Sequence, residues 1–453
     1  MTPNSSARAY GRQDGIIMKT WTQLEERVVN YCQELIRIDT TNYGNNESNG
    51  EKIAAEYVSQ ILHSLNIAHQ IVGPDTKRAS IIARIPGTDG SLPGIILHGH
   101  LDVVPVEKNK WSKPAFDAVI ENEMIWGRGA VDMKNGNAMI LASLYELLKS
   151  GWKPKRSISL IFFADEEAGG LLGSHFVTKN FPEYFENCSE AVGEVGGFSH
   201  TLSNGVRLYL IETAQKGIAW MKFSTKGTAG HGSMVNNQNA ITKLSKALTD
   251  LSNHKFPITI KDSVKMLLEE TASAHNMKFD PNDPEKVVAL LGTLSKLVSA
   301  TLSNTANPTM INAGYKVNVI PGEATAHVDG RFLPGNAETF LSEIQKIIGD
   351  EVTIQAETFD VSLEAPFEAR IVDLMKNSLE AEDPGARVVP YMLSGGTDAK
   401  AMSKFGIKGY GFTPLLLPND LDFTSLFHGH DERIPIASLK FGARAIYRLI
   451  KEL

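Results

Sequence analysis

The chain has 453 residues, of which 42% are hydrophobic and 21% are charged, as in an ordinary globular protein. Single hydrophobic cores usually stop growing at about 250–300 residues, so this length predicts more than one domain. The formal charge is −7, from 45 Lys and Arg against 52 Asp and Glu, without a dense basic block. We therefore expect a small-molecule substrate and no nucleic-acid partner.

Membrane and secretory signals are also missing from the sequence. No apolar run reaches the roughly 18 residues of a membrane span, and Cys32 and Cys188 are the only cysteines. Two cysteines exclude a disulfide framework and favour a reducing compartment. Residues 1–17 lack the apolar core of a secretory signal, so we expect a disordered leader there, with Met18 as an alternative start. The predicted location is the cytoplasm, with no membrane partner.

Helical and β-rich segments alternate in the first half of the chain. Thr22 and Glu25 form a capping-box pattern that predicts the start of an amphipathic first helix. Further segments predict a second helix, two strands, a third helix and a buried strand: "EKIAAEYVSQILHSLNI", "ASIIARI", "GIILHGHLDVV", "NAMILASLYELLKSG" and "SISLIFFA". The last is almost continuously apolar, which is typical of a sheet covered on both faces. This alternation predicts an α/β domain over residues 18–215.

The pattern changes at about Gly217. Strand, helix, two strands, helix and strand follow one another, which is the βαββαβ order of the ferredoxin-like arrangement. An additional stretch, roughly 256–300, is predicted to be helical and to lie between its first helix and second strand. From 362 to 453 the alternation returns. We therefore predict one α/β domain interrupted by a smaller α+β domain over residues 216–361.

The strand "LHGHLDVVP" carries three polar groups in an apolar run. Successive side chains of a strand point to opposite faces, so His98, His100 and Asp102 share one face. A ligating histidine commonly gives its second ring N–H to a carboxylate, so this face can hold a metal ion. A pair of core histidines with a nearby aspartate fits the fragment as well.

Acidic residues follow two further segments. "WGRGAVDMKNG" places Asp132 just before a helix, and "FFADEEAGG" places Glu166 and Glu167 at the end of the buried strand. Neighbouring residues of an extended segment face opposite ways, so one glutamate can bind a metal while the other faces the substrate. The alternative for the acidic triplet is a solvated loop.

Eight segments carry a family resemblance between about residues 94 and 437. In chain order they are "GHLDVVP", "GRGAVDMKNG", "ADEEAGG", "GEVGG", "GTAGHGS", "NVIPGEATAHVDGR", "SGGTDA" and "FHGHDERIP". Together they resemble the dinuclear zinc hydrolase family that includes succinyl-diaminopimelate desuccinylase, acetylornithine deacetylase, aminoacylase and related metallopeptidases. The resemblance implies a zinc-exopeptidase-like catalytic domain with an inserted ferredoxin-like lid and dimerisation domain.

The resemblance also implies a set of metal ligands. One zinc ion would be bound by His100, Asp132 and Glu194, and a second by Asp132, Glu167 and His428, with Asp132 as the bridge. Two zinc ions per subunit are expected, although mixed imidazole and carboxylate ligation also admits cobalt or manganese. The family has a cis peptide bond after the bridging aspartate, and we expect one after Asp132.

Two residues are expected to assist these ligands. By resemblance, Asp102 would orient His100, and Glu166 would act as the general base and acid. His98 and His430 flank proposed ligands at a spacing of two, but the family pattern does not use either as a ligand.

The inserted domain is expected to supply substrate contacts. By resemblance, Arg331 would grip a substrate carboxylate with its planar guanidinium, although the alternative is an ordinary ion pair. His231 would reach into the partner subunit's site and stabilise the oxyanion, which requires a homodimer. Asn318, Gly396 and Thr397 would help to hold the substrate.

The sequence therefore predicts a zinc-dependent hydrolase that cleaves an amide next to a free α-carboxylate and releases an amino acid. The acyl group could be a simple acid, as for an aminoacylase, or another amino acid, as for a dipeptidase or carboxypeptidase. A rival hypothesis is a catalytically silent dimeric binding protein. Such proteins usually lack a ligand or the base, whereas every expected ligand and Glu166 are present here.

Overall fold

The computed structural model describes residues 5–453, with side chains from Trp21 onward. The chain forms two compact units. The first comprises Met1–Glu212, Pro366–Val389 and Thr397–Leu453, and the second comprises Thr213–Ala365 and Pro390–Gly396. For comparison, the sequence analysis places the inserted domain at 216–361.

Helices and strands alternate along much of the described chain. In residues 5–453 the helices are α1 (Ser5–Arg37), α2 (Lys52–Ser64), α3 (Lys134–Lys149), α4 (Ser174–Asn180), α5 (Ala240–Asn253), α6 (Asp262–Ala274), α7 (Pro284–Val288), α8 (Ser295–Ser299), α9 (Ala337–Ile348), α10 (Arg370–Glu380), α11 (Ala399–Ser403) and α12 (Ile436–Lys451). The strands of the same range are β1 (Asn42–Gly44), β2 (Glu47–Ser48), β3 (His69–Val72), β4 (Ser80–Ile85), β5 (Gly94–His100), β6 (Val119–Glu121), β7 (Met124–Trp126), β8 (Ile158–Phe163), β9 (Cys188–Gly193), β10 (Phe198–Thr201), β11 (Arg207–Gln215), β12 (Gly217–Lys226), β13 (Gly230–His231), β14 (Thr305–Ala313), β15 (Val319–Ile320), β16 (Glu323–Phe332), β17 (Thr353–Asp360), β18 (Leu363–Glu364), β19 (Arg387–Leu393), β20 (Lys408–Gly411) and β21 (Arg433–Pro435).

The first helix begins earlier than its capping pattern predicts. Helix α1 is helical from Ser5, so Thr22 lies inside it and is not its N-cap. The segment 5–37 contains no proline, and nothing in it forces the helix to begin at Thr22. Of the leader expected to be disordered, residues 1–4 lie outside the described part of the chain, and the backbone of 5–17 belongs to α1.

The first unit is built on a mixed sheet with a parallel centre. Strand β5 pairs in parallel with β8 on one side and with β9 on the other, and β9 pairs in parallel with β20. Every residue of β5 and β8 is buried, which confirms a sheet covered on both faces. Helices α1, α3 and α12 pack against one another. The α/β fold class is therefore confirmed.

The parallel pairing brings three chain segments to one edge of this sheet. Strands β5, β8 and β9 end at His100, Phe163 and Gly193, and parallel strands present their carboxyl ends at the same edge. That edge is where open α/β sheets usually bind their ligands. The expected metal ligands of all three segments lie at or just after these ends.

The second unit contains the predicted ferredoxin-like arrangement. Its antiparallel sheet has the order β14-β16-β12-β17, and α5 and α9 supply the helices of the βαββαβ unit. Apolar residues of both helices and of the sheet form one buried core, with Phe223, Leu244 and Phe340 fully buried. Helices α6, α7 and α8 occupy the additional stretch between α5 and β14.

Membrane-spanning segments were sought among the described residues. None of their helices combines the length and the apolar character that a transmembrane helix needs.

Candidate metal centre

The carboxylate of Asp132 faces two imidazole rings. Its Oδ1 atom lies 3.1 Å from Nε2 of His100, and its Oδ2 atom lies 3.3 Å from Nε2 of His428. One carboxylate therefore offers a separate oxygen to each ring.

A further carboxylate stands beside each imidazole. Oε2 of Glu194 lies 3.3 Å from Nε2 of His100, and Oε2 of Glu167 lies 3.1 Å from Nε2 of His428. The side chains thus form two groups, one with His100 and Glu194 and one with His428 and Glu167, which share Asp132. These are the two groupings that the sequence analysis expects.

The orientation of His100 is fixed by its second ring nitrogen. Nδ1 lies 2.9 Å from the backbone oxygen of Asp102 and 3.6 Å from the Oδ1 atom of its carboxylate. A carbonyl oxygen can only accept a hydrogen bond, so Nδ1 carries the proton and donates it. Once Nε2 gives up its own proton, its lone pair faces Asp132 and Glu194, which is the tautomer that a metal ligand needs.

The carboxylate of Asp102 has another set of partners. It accepts hydrogen bonds from the backbone N–H groups of Glu166 and Glu167, both at 3.1 Å, and from Nδ2 of Asn42 at 2.8 Å. Asp102 thus orients His100 mainly through its backbone, while its side chain fixes the turn that carries the two glutamates.

Burial and crowding shift the pKa values of the acidic groups. Burial raises the pKa of Glu167 to about 7 and raises that of Glu194. The pKa of Glu166 lies well above its ordinary value because of burial and then because of the Glu194 charge. Burial also opposes ionisation of Asp132, but hydrogen bonds from His100 and His428 hold its pKa below the ordinary range. Hydrogen bonds to Asp132 and Glu167 raise the pKa of His428 to about 10.

The donor set fits divalent cations. Single ligand atoms of His100, Asp132 and Glu167 lie within 4.8 Å of one another, as do atoms of His100, Glu166 and Glu194. The buried Oε1 atom of Glu167 has no hydrogen-bond partner. Imidazole nitrogens and carboxylate oxygens are common zinc ligands, and buried carboxylates need a compensating cation.

The backbone next to the ligands has unusual conformations. The peptide bond between Asp132 and Met133 is cis, which confirms the expectation. Val195, which follows Glu194, has a φ of 57°. A β-branched residue rarely adopts this left-handed conformation, and strained residues of this kind cluster at functional sites.

The two flanking histidines lie apart from these groups. His98 is buried, and burial followed by the neighbouring His100 lowers its pKa to about 3. Nε2 of His430 lies 3.6 Å from the carboxylate of Glu107, a largely exposed residue. It is thus His428, not His430, that faces Asp132 and Glu167.

The segments that carry these ligands match a single protein family. The profile of the family described as "Peptidase family M20/M25/M40" matches residues 96–452, which is most of the chain. The chain belongs to this family. It is therefore a metal-dependent hydrolase, as the sequence analysis predicts.

Relatives and solved structures of the M20 family match most of the chain. A protein named "Probable carboxypeptidase S-like 2" from Dictyostelium discoideum is 29% identical over 82% of this chain and 74% of its own length. The mouse (Mus musculus) "N-fatty-acyl-amino acid synthase/hydrolase PM20D1" is 27% identical over 94% of this chain and 88% of its own length. The crystal structure of the M20 family metallo-carboxypeptidase Sso-CP2 from Sulfolobus solfataricus has a TM-score of 0.72 at 18% identity, covering 94% of this chain and 98% of that one.

Among the residues expected to contact the substrate, His231, Asn318 and Gly396 lie in the second unit. His231 is exposed in β13, with Nδ1 2.8 Å from Oγ of Ser233. Gly232 donates its N–H to the backbone oxygen of Asn318 at 2.9 Å, so the His231 and Asn318 segments are neighbours. Gly396 also belongs to this unit, whereas the buried Thr397 belongs to the first.

Arg331 makes the ion pair that the sequence analysis gives as its alternative role. Its Nε and Nη2 atoms donate to the two carboxylate oxygens of Asp329 at 2.7 and 3.0 Å. Residues 329 and 331 are two apart on β16 and so share a face of that strand. Nη1 of Arg331 takes no part in this ion pair.

Sequence reasoning missed several residues that shape this centre. Asp165 accepts hydrogen bonds from Arg78 and, at 3.2 Å, from Asn42, and thereby fixes the start of the Glu166–Glu167 turn. No local pattern marks Arg78 or Asn42. Arg128 and Glu432 also lie inside the segments that carry the family resemblance, but the resemblance assigns no role to either residue.

Metal binding to this centre is expected to release protons at pH 7. The metal-free protein keeps a proton on His428, whose pKa is about 10, and part of one on Glu167, whose pKa is about 7. Burial disfavours a charge on His100, but the Glu194 charge and hydrogen bonds with neighbouring carboxylates raise its pKa well above the ordinary value, so His100 also keeps a proton. Metal ions bind neutral imidazole and ionised carboxylate, so these protons must leave. The apparent zinc affinity should therefore rise with pH, and His428 should stop contributing to this rise above about 10, where it no longer holds its proton. Titration calorimetry in buffers of different ionisation enthalpy measures the release.

His430→Gln is the matched control for that titration, because His430 lies beside Glu107 and outside the two ligand groups. It should release as many protons as the wild type, and His428→Gln should release fewer. Zinc binding without net proton release would contradict the assigned protonation states.

Proposed function

We propose that the protein is a dinuclear zinc hydrolase that cleaves an amide bond next to a free α-carboxylate and releases an amino acid. The observation that carries this proposal is the position of Asp132, whose two carboxylate oxygens face His100 and His428 separately. A carboxylate shared in this way can bridge two metal ions, and two-metal sites are common among peptidases.

The ligands proposed for the first zinc ion are His100, Asp132 and Glu194, and those for the second are Asp132, Glu167 and His428. Zinc is favoured by the mixture of imidazole and carboxylate donors, which also suits cobalt and manganese. When bound, such ions polarise the substrate carbonyl and make water acidic enough to supply hydroxide near pH 7.

Glu166 is the proposed proton carrier. Its backbone N–H is held by Asp102, and its side chain lies in the group with His100 and Glu194. Burial and the Glu194 charge raise its pKa, so its carboxyl group can hold a proton at a pH where an exposed glutamate cannot. In its ionised form it would accept a proton from the attacking water, hold it, and then deliver it to the leaving amine.

Arg331 is the proposed contact for the substrate carboxylate. Asp329 already holds two of its N–H groups, which fixes the plane of the guanidinium and leaves the Nη1 arm to bind a second carboxylate. Asn318, Gly396 and Thr397 are proposed to contact the rest of the substrate.

A homodimer formed through the second unit is also part of the proposal. Strand β14 is an edge strand of its sheet, and the side chains of Met310 and Ile311 on it are 65% and 62% exposed. An exposed apolar edge strand offers unpaired backbone groups to a second chain. The exposed His231 would then serve the partner subunit's site as an oxyanion donor.

Two versions of the substrate fit this proposal. One relative is named as an N-fatty-acyl-amino acid synthase/hydrolase and another as a probable carboxypeptidase S-like protein, so both an acyl group and an amino acid are candidates for the carbonyl side. We place the enzyme in the cytoplasm, a proposal that its two buried free cysteines support.

A matched substrate panel tests the proposed reaction. The zinc-loaded protein is incubated with N-acyl amino acids, dipeptides and the C-terminal amides of both, and products are identified by mass spectrometry. We expect hydrolysis of at least one carboxylate series and a large loss of kcat/KM for its amides. Preference for acyl substrates would indicate an aminoacylase, and preference for dipeptides a peptidase. No turnover across the panel would favour the silent binding protein.

Replacing the proton carrier should abolish turnover without removing the metal. Glu166→Gln keeps the size of the side chain but cannot accept the proton, so kcat should fall by about 10²–10⁴-fold. Zinc content measured by atomic absorption should remain that of the wild type. Glu167→Gln is the comparison, because it should also lose zinc. Full activity of Glu166→Gln would contradict the assigned role.

Subunit sharing is tested with two inactive variants. If His231 and Arg331 serve different subunits' sites, mixing His231→Ala with Arg331→Ala should restore activity through hybrid dimers that contain one intact site. If they serve the same subunit's site, mixing should restore nothing. Subunit exchange is confirmed by mass spectrometry with one variant isotopically labelled, so a lack of recovery in confirmed hybrids would refute the sharing.

A further inference from the structure

Glu432 is a fully buried carboxylate outside the proposed ligand set. Its Oε1 atom accepts the backbone N–H groups of Val131 at 2.6 Å and of Asp132 at 3.0 Å. Its Oε2 atom accepts the N–H of Gly129 at 3.1 Å and Nη1 of Arg128 at 2.7 Å. One carboxylate thus accepts three backbone N–H groups of the loop that ends at Asp132.

Arg128, the ion-pair partner of Glu432, also contacts the backbone of other segments. Its side chain is 3% exposed, and its Nη2 atom lies 3.0 Å from the backbone oxygen of Gly429, 3.5 Å from that of His428 and 3.4 Å from that of Pro105. Gly429 follows the proposed ligand His428, and Pro105 follows the strand that ends at His100. The Arg128–Glu432 pair therefore contacts the loop that carries Asp132, the loop that carries His428 and the segment that follows β5.

The backbone at these loops has a conformation that needs support. His428 has a φ of 57° and Asp431 a φ of 54°, which non-glycine residues rarely adopt. Such conformations persist only where surrounding contacts fix them. Hydrogen bonds from Arg128 reach the backbone of the His428 loop, and Glu432 accepts hydrogen bonds from the backbone of the Asp132 loop.

We propose that the buried Arg128–Glu432 ion pair is the positioning element of the bridging ligand Asp132 and of His428, and that it sets the zinc affinity of the ligand group that these two residues form with Glu167. This inference rests on the proposed zinc centre. Neither Arg128 nor Glu432 contacts the reacting atoms in the proposal; both act through the backbone of the ligands. Supporting groups of this kind typically change metal affinity by about 10–100-fold.

Glu432→Gln tests the inference. Glutamine keeps one oxygen for Val131 and Asp132 but replaces the other with an NH₂ group, which cannot accept from Arg128 or Gly129. Zinc affinity is measured by competition with a chromophoric chelator, and the stability of the metal-free protein is measured separately by urea unfolding. We expect one of the two zinc ions to bind about 10–100-fold more weakly and the other to change less. Added zinc should restore kcat, which a general loss of structure would not allow.

Glu382→Gln is the matched control. Glu382 is a similarly buried acid of the same unit, with a side chain 7% exposed and bonds of 2.6 Å from the Nε atoms of Arg444 and Arg448. Both arginines belong to α12 and not to a ligand loop, so replacing Glu382 should reduce stability and leave zinc affinity within about twofold of the wild type.

Arg128→Lys provides a second test if Glu432→Gln does not fold. Lysine keeps the charge next to Glu432, but its single ammonium lacks the planar fork that reaches Gly429 and His428. We expect the same selective loss of affinity for one zinc ion. Unchanged affinity in the folded variant, or an equal loss in Glu382→Gln, would overturn the inference. If the wild type itself binds no zinc, the proposed function fails instead, so the two failures are distinguishable.

Discussion

The burial of several carboxylates around two imidazoles is the constraint on which the rest of the first unit depends. Asp132, Glu166, Glu167 and Glu194 are withdrawn from water at the edge of one sheet, where negative charges repel one another and lose their hydration. Such a cluster is unfavourable without nearby positive charge. In the protein alone, the protonated His428 and the raised pKa values of the glutamates reduce that charge, and two bound cations would neutralise it more completely.

The ligands come from segments that are far apart in the chain, so the centre exists only when the whole unit is folded. The parallel pairing of β5 with β8 and β9 brings His100, the Glu166–Glu167 turn and Glu194 to one edge. Asp132 and His428 stand on loops outside the sheet, and loops need additional fixing to hold a ligand in place. Buried polar contacts supply this: Asp102 binds the glutamate turn, and Glu432 binds the Asp132 loop.

Sequence patterns predicted the elements better than the contacts between them. The continuous apolar run of β8 and the βαββαβ order of the second unit are properties of neighbouring residues, and both follow from periodicity. The capping pattern at Thr22 failed because a favourable local motif does not prevent a helix from starting upstream. The pairing of ligands came from the family resemblance, since periodicity places His100 on a face but names no partner. Arg128 and Glu432 are 304 residues apart, and no local pattern joins residues at such a distance.

The role of Asp102 shows why residue identity alone does not define a contact. The sequence analysis expects its carboxylate to orient His100, yet the backbone oxygen of Asp102 lies closer to Nδ1, at 2.9 Å against 3.6 Å for the carboxylate. The side chain instead accepts two backbone N–H groups from the turn that presents Glu166 and Glu167. One residue therefore fixes a ligand of each proposed zinc ion, His100 by its main chain and Glu167 by its side chain. Because both depend on the same short segment after β5, a displacement of Asp102 would disturb the two halves of the centre together.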